Sequence, residues 1–175
     1  LKARFFAIKK GNAMPLTATR LRELLRYDPN TGIFQWIVSR RGRKSQNGSA
    51  GTINEAGYLQ ICIDGCAYLG HRLAWLYMTG EWPPGRLDHE DTDRANNRWR
   101  NLRKATPTQN NANMRRPKHN TSGVKGVHWD RGKWRSQIYC NDKRISLGRF
   151  DTLEQAHAAY AVAAKQYFGE FARIE

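Results

Sequence analysis

The sequence predicts an α+β chain: an elongated molecule with a small N-terminal α/β region, a central hairpin-and-helix element, and a C-terminal three-stranded antiparallel sheet backed by one helix. Three observations carry that prediction. Short apolar stripes at helical spacing are interleaved with short alternating runs, so neither helix nor sheet dominates. Near the C terminus, Val124–Trp129, Lys133–Cys140 and Lys143–Leu147 read as strands separated by Asp130-Arg131-Gly132 and Asn141-Asp142, both good hairpin turns. Directly after them, Asp151–Phe168 has the apolar face and first-turn residues of an amphipathic helix. The expected domains are residues 1–80, 81–116 and 117–175.

The N-terminal elements follow from local chemistry. Thr17 is an N-cap, and Leu21, Leu24 and Leu25 form a stripe, so a helix is expected over residues 18–27. Asp28-Pro29-Asn30-Thr31-Gly32 is a turn, and Ile33–Val38 a strand. Gly57–Asp64 places Leu59, Ile61 and Ile63 on one face, turns at Asp64-Gly65 and returns over Cys66–Leu69. His71–Thr79 is helical, with Leu73, Ala74, Leu76, Tyr77 and Met78 available for packing and Gly80 as its stop. His71 is read as structural. Leu1–Lys10 is too short for a signal peptide and reads as a frayed arm or an added remnant, with Met14 a candidate internal start.

Composition narrows the partner. Thirty basic residues against fifteen acidic ones give a formal charge of +15, natural for a chain that binds phosphates. The excess is +8 over residues 1–80, +4 over 81–118 and +3 over 119–175, which argues for a long footprint and not one basic tail. Ser39–Gly51 carries Arg40, Arg41, Arg43 and Lys44 between glycines and reads as a phosphate-gripping loop in preference to a solvated one. Three cysteines, Cys62, Cys66 and Cys140, match neither a disulfide framework nor zinc-finger spacing, and suit a reducing interior. No apolar run is long enough to suggest a membrane span.

Chemistry concentrates in Leu87–Asn113. Arg86–His89 should be a strand presenting Asp88 and His89 together, and Asn101–Lys104 a returning strand. Thr106 and Pro107 then open a helix running to about Met114, with Asn110 near its positive end and facing back toward Asp88. Asp88 and Asn110 each offer a hard oxygen, and His89 a nitrogen that takes a proton near neutral pH. Those are the groups that metal-assisted phosphodiester hydrolysis needs. Asn96, Asn97 and Asn111 remain alternatives to Asn101 and Asn110, since a one-residue shift would exchange them.

Leu87-Asp88-His89, Asn96-Asn97-Arg98, Asn101-Leu102-Arg103 and Asn110-Asn111-Ala112-Asn113 resemble the ββα-metal motif of HNH endonucleases. The preceding GYLQICIDGCAYLGHRLAWLYMTGEWP resembles the lead-in of phage and intron-encoded members, and the likeness covers roughly residues 16–116. It implies one divalent metal, Mg²⁺ or Mn²⁺, held by Asp88 and Asn110. It makes His89 the general base and Asn101 the residue that bonds across the loop to keep the His89 backbone and ring in register. Many members carry a histidine where Asn110 stands; an oxygen ligand there suits Mg²⁺ better than Zn²⁺.

Gly126-Val127, Lys133-Trp134, Lys143–Phe150 and the alanine-rich helix are similar to the ethylene-response-factor type of DNA-binding domain, over about residues 119–174. Homing endonucleases also carry that fold. The resemblance implies that the outer sheet face enters the major groove, with Lys125, His128, Arg135, Gln137, Tyr139 and Arg144 outward. His128, Tyr139 and Ser146 replace residues usually Arg or Trp, so the target sequence does not transfer. Alternation agrees: Trp134, Ser136, Ile138, Ile145 and Leu147 should face the helix. Arg115 and Arg116 lie in a basic linker expected along phosphate.

The resulting expectation is a monomeric, metal-dependent DNA endonuclease of homing or phage type that nicks double-stranded DNA in the cytoplasm of a bacterial host, encoded by a phage or an intron. The rivals are a non-catalytic DNA-binding regulator and a structured-RNA nuclease or binder; a sheet suited to a major groove opposes the latter.

Overall fold

Thr17 caps the first helix as expected, its hydroxyl oxygen accepting the Arg20 N–H at 3.1 Å. In the computed structural model, which describes residues 16–38, 49–117 and 119–174, this helix (α1, Ala18–Leu24) buries Leu21 and Leu24. It ends three residues earlier than its apolar stripe suggests. Leu25–Tyr27 is instead a strand (β1), paired antiparallel with Phe34–Trp36 (β2). Leu25 and Tyr27 are buried and Arg26 is exposed, a period-two pattern. The Tyr27 and Phe34 rings, 4.6 Å apart on paired residues, supply the cross-strand contact that outweighs helix propensity. The second strand is shorter than Ile33–Val38, and both of those end residues are exposed.

A three-stranded sheet follows in the order β3 (Thr52–Ile53), β4 (Leu59–Ile63), β5 (Cys66–Leu69). The short β3 has no signal in the sequence pattern. The β4–β5 turn is the one expected: Asp64 and Gly65 take φ +48° and +80°, as a two-residue hairpin turn requires. Helix α2 (Gly70–Thr79) ends on Gly80 in the left-handed conformation. It buries Leu73, Ala74 and Leu76, while Met78, expected to pack, is 40% exposed. These side chains join Leu21, Leu25, Phe34, Ile61 and Ile63 in one core.

Strand β6 (Arg86–His89) pairs with β7 (Leu102–Ala105). The returning strand starts one residue later than expected, because Asn101 closes a 3-10 turn over Trp99–Asn101. Helix α3 (Pro107–Asn113) starts at Thr106 with a full capping box to Gln109.

The chain divides into two compact units, residues 1–104 and 105–175. In the second unit, β8 (Val127–Asp130), β9 (Lys133–Cys140) and β10 (Lys143–Phe150) form an antiparallel sheet with β9 central, backed by α4 (Leu153–Phe168). Ser136, Ile138 and Cys140 are buried as alternation requires, against Ala156, Tyr160 and Ala164 of α4. Ala112 brings α3 into the same core. β10 runs three residues past its expected end, and its register on β9 shifts between Ser146 and Gly148, making Leu147 a β-bulge.

Gly126 sits at the tightest point of this unit. Its φ is +72°, and a Cβ there would lie 2.1 Å from the Tyr160 ring and 2.7 Å from the Gln137 carbonyl oxygen. Gly126→Ala is expected to destabilise the second unit by about 2–4 kcal/mol, combining backbone strain with overpacking. Thermal unfolding checks this; an unchanged midpoint would refute the close approach of β8 to α4.

Candidate functional site

β6 delivers Leu87, Asp88 and His89 into the protein together, at 9%, 5% and 5% exposure. Asp88 Oδ2 accepts a hydrogen bond from Arg103 Nε on β7 at 3.0 Å. Both side chains are mostly buried, at 7% and 15% exposure. A charge-assisted bond in such surroundings fixes the carboxylate's direction. The guanidinium also approaches Glu90 at 3.9 Å.

His89 packs on aromatic rings. The His71 ring meets it edge-on with centroids 5.0 Å apart, and the Tyr58 ring is 6.0 Å away. Burial lowers the His89 pKa; the Asn97 side chain, then Asp91, Asp88 and Asp93, work against that shift. His71 is pushed down to about 3, chiefly by burial and then by the repulsion that a protonated His89 and the Arg72 guanidinium would exert on its own charged form. Both imidazoles are therefore held neutral at pH 7, and neutral is the form in which a histidine can accept a proton.

Asn101 ties off the loop that follows. Its carbonyl accepts the Glu90 N–H at 3.0 Å, and its side-chain Oδ1 accepts the Asp91 N–H at 3.1 Å. Its Nδ2 donates to Asp91 Oδ1 at 3.0 Å and to the Asn96 carbonyl at 2.8 Å. These bonds tie the backbone at Glu90 and Asp91, just past His89, to Asn101 and Asn96. The side chain beside the imidazole is Asn97. Asn97 is 1% exposed, and its carbonyl accepts from the Tyr27 hydroxyl at 2.6 Å. Gly32 of the first turn packs so tightly on Asn97 and Arg98 that a Cβ would lie 2.5 Å from the Arg98 nitrogen. The Trp99 N–H donates to the Pro29 carbonyl at 2.9 Å. The Asp-Pro-Asn-Thr-Gly turn is thus a buttress for the asparagine-rich loop.

The donors of β6 fit a hard cation: Asp88 presents a carboxylate held in place by Arg103. Among the described residues, no three His, Cys, Asp or Glu side chains converge as a cage. An ion bound here would therefore draw on Asp88 with amide or substrate oxygens. Asn110 is the fourth residue of α3, half-buried, its N–H bonded to the Thr106 carbonyl at 2.9 Å.

In the second unit, His128, Gln137, Tyr139 and Arg144 line one groove of about 660 Å³. Tyr139 is 64% exposed. Arg135 stands opposite His128. Lys125 departs from its expected outward position. It precedes β8, and its ammonium is bonded to the Ala112 and Met114 carbonyls at the end of α3. Burial and the Arg173 charge push its pKa down to about 8. Arg115 and Arg116 are exposed. Arg40, Arg41, Arg43 and Lys44 lie outside the described residues.

Sequence reasoning gave no role to Arg103, held Asn97 only as an alternative, and did not foresee the His71–His89 contact. A signal existed for Arg103: it is a cation fifteen residues from Asp88 on the paired strand.

The HNH endonuclease family matches residues 68–112, and the AP2 domain matches residues 122–170. The chain is 36% identical to Protein 3.8 of Escherichia phage T7 over 107 residues, 59% of this chain and 88% of that protein. It is also 36% identical to an uncharacterized HNH endonuclease of Acanthamoeba polyphaga mimivirus over 87 residues, 49% of this chain but only 44% of that protein. No solved structure matches it significantly.

Replacing Asn101 with Ala removes the side-chain bonds to Asp91 and Asn96. Amide hydrogen exchange at Asp91 is expected to accelerate at least about tenfold, the equivalent of one lost buried hydrogen bond. Unchanged protection there would mean that the loop is held by something else.

Proposed function

We propose, from the premise that this chain belongs to the family of phage T7 Protein 3.8 and is an HNH endonuclease carrying an AP2 DNA-binding domain, that it nicks double-stranded DNA with the help of one divalent metal ion. The observation that carries the proposal is the buried Asp88–His89 pair at the end of β6, locked by Arg103 on one side and by the Asn101 loop on the other.

In this reading His89 is the general base. An imidazole nitrogen takes the proton of a water whose oxygen attacks the scissile phosphorus. The bond from phosphorus to the 3′ oxygen breaks and that oxygen takes a proton from solvent water, leaving 5′-phosphate and 3′-hydroxyl ends. Mg²⁺ or Mn²⁺, held by Asp88 and Asn110, would supply neutralisation of phosphoryl charge. Asn101 acts by position, keeping the backbone after His89 rigid. Arg103 aligns Asp88. Arg40, Arg41, Arg43, Lys44, Arg115 and Arg116 would grip phosphates, while His128, Arg135, Gln137, Tyr139 and Arg144 face base edges. Lys125, turned toward α3, would serve that face by anchoring the helix.

A chain with one such centre cuts one strand per visit, so we place it as a monomeric nicking enzyme of phage or homing type. We take its place of action to be the cytoplasm of a bacterial host, a reading supported by its likeness to a phage protein. The three proposed domains, residues 1–80, 81–116 and 117–175, are functional divisions: a DNA-contacting lead-in, the nuclease core and the reader.

Incubation with supercoiled plasmid tests the proposal. The chain with Mg²⁺ should yield open circles, and EDTA should stop the reaction. His89→Ala should cut about 10²- to 10⁴-fold more slowly, the usual contribution of a general base, while binding duplex DNA in EDTA as tightly as the parent. A variant that cuts at the parental rate, or cleavage that survives EDTA, would overturn the reading.

A further inference from the structure

The outer face of the second unit's sheet holds an arginine that strict alternation points inward. Counted along β10 from Ile145 and Leu147, Arg149 should share their face. The bulge at Leu147 reverses it: Gly148 pairs with Ser136, and Arg149 pairs with Arg135. Gly148 takes φ +126°, a conformation that suits glycine at this step. Across the three strands, His128, Arg135 and Arg149 therefore form one outward row.

Two arginines directly opposite one another repel unless something holds them. Asp130 does so. Its Oδ2 accepts from an Arg149 terminal nitrogen that reaches across β9, and the same oxygen lies 3.9 Å from Arg135 Nη1. The Asp130 backbone carbonyl accepts from the same Arg149 nitrogen at 3.2 Å. Asp130 is 29% exposed, Arg135 36% and Arg149 45%, so the cluster is open to a partner yet partly ordered. The Arg149 guanidinium holds the Asp130 carboxyl below the usual carboxylate range.

We propose that Asp130 presents Arg135 and Arg149 as a paired guanine-reading element, each arginine addressing one of two neighbouring base pairs in the DNA major groove. This rests on the reading of the sheet as a DNA reader. An arginine has five N–H donors in a planar fork, and the bonds to Asp130 occupy one nitrogen of Arg149. A fork has the geometry for guanine O6 and N7. Cross-strand partners are spaced about 5 Å apart at Cβ, within side-chain reach of two base pairs stacked about 3.4 Å apart. A phosphate contact would need only loose positive charge, and a carboxylate between the two arginines would weaken it. Asp130 is thus a positioning residue whose value lies in direction, not in charge.

The test is selection of bound duplexes from a randomised pool by the full chain in EDTA, with Arg149→Ala, Arg149→Lys and Asp130→Asn compared. The parent should enrich two adjacent guanines. Arg149→Ala and Arg149→Lys should both erase the preference at one of them and weaken the best site roughly 5- to 150-fold, the 1–3 kcal/mol of a bidentate base contact. Random duplex should change far less. Asp130→Asn should blur both positions, although it makes the chain more positive. Arg149→Lys binding like the parent, uniform weakening across all sequences, or tighter binding by Asp130→Asn with preferences intact would each overturn the proposal while leaving the sheet a DNA reader. A parent chain that enriches no duplex sequence would overturn both.

Discussion

The Asn101 amide is the constraint on which the shape of the first unit's asparagine-rich loop depends. Through three side-chain hydrogen bonds, with a fourth accepted by the Asn101 backbone carbonyl, it holds the chain immediately after His89 and the asparagine-rich segment that curls back toward it. That fixes where β6 stops and β7 starts, which in turn lets Arg103 meet Asp88 between the paired strands. The rest of the unit reinforces the same loop. Tyr27 bonds to Asn97, Pro29 accepts from Trp99, and Gly32 allows the turn to press against Asn97 and Arg98. The N-terminal region thus serves as the wall of the site as well as a lead-in to it.

Electrostatics within this wall run against the chain as a whole. The protein carries +15 overall, yet around β6 the groups are neutral or balanced. Burial disfavours the charged forms of both imidazoles, and the Arg103 guanidinium faces the Asp88 carboxylate with Glu90 farther off. Spread-out positive charge suits capture of a polyanion, while a neutral histidine beside an oriented carboxylate suits proton transfer. The second unit divides its labour similarly: α4 and Ala112 build the core, and the opposite sheet face keeps its polar side chains.

Much of this was legible in the sequence wherever a local rule acted alone. Thr17, Thr106 and Thr152 cap helices as their residue type dictates, and Gly80 stops one. The Asp64-Gly65 turn and the alternation of Ser136 and Ile138 needed nothing distant. The family motifs put Asp88, His89 and Asn101 in their neighbourhood. What escaped depends on tertiary partners. Leu25–Tyr27 leaves the helix because Phe34 waits opposite. Arg149 faces outward because one extra residue, Leu147, shifts the register, and alternation cannot count a bulge. Lys125 turns away because the end of α3 offers carbonyls. Asn97 becomes the neighbour of His89 through a loop whose shape Asn101 sets.

The central proposal is that Asp88, beside His89, and Asn110 are the protein ligands of one divalent ion. Iron(II) bound in place of the native ion, with ascorbate and peroxide, cuts a polypeptide at the residues nearest the metal, and mass spectrometry of the full chain locates the cuts. The account predicts cleavage next to residues 88–89 and next to residue 110, both lost in Asp88→Ala. Cuts confined to other segments, or an unchanged pattern in Asp88→Ala, would contradict it.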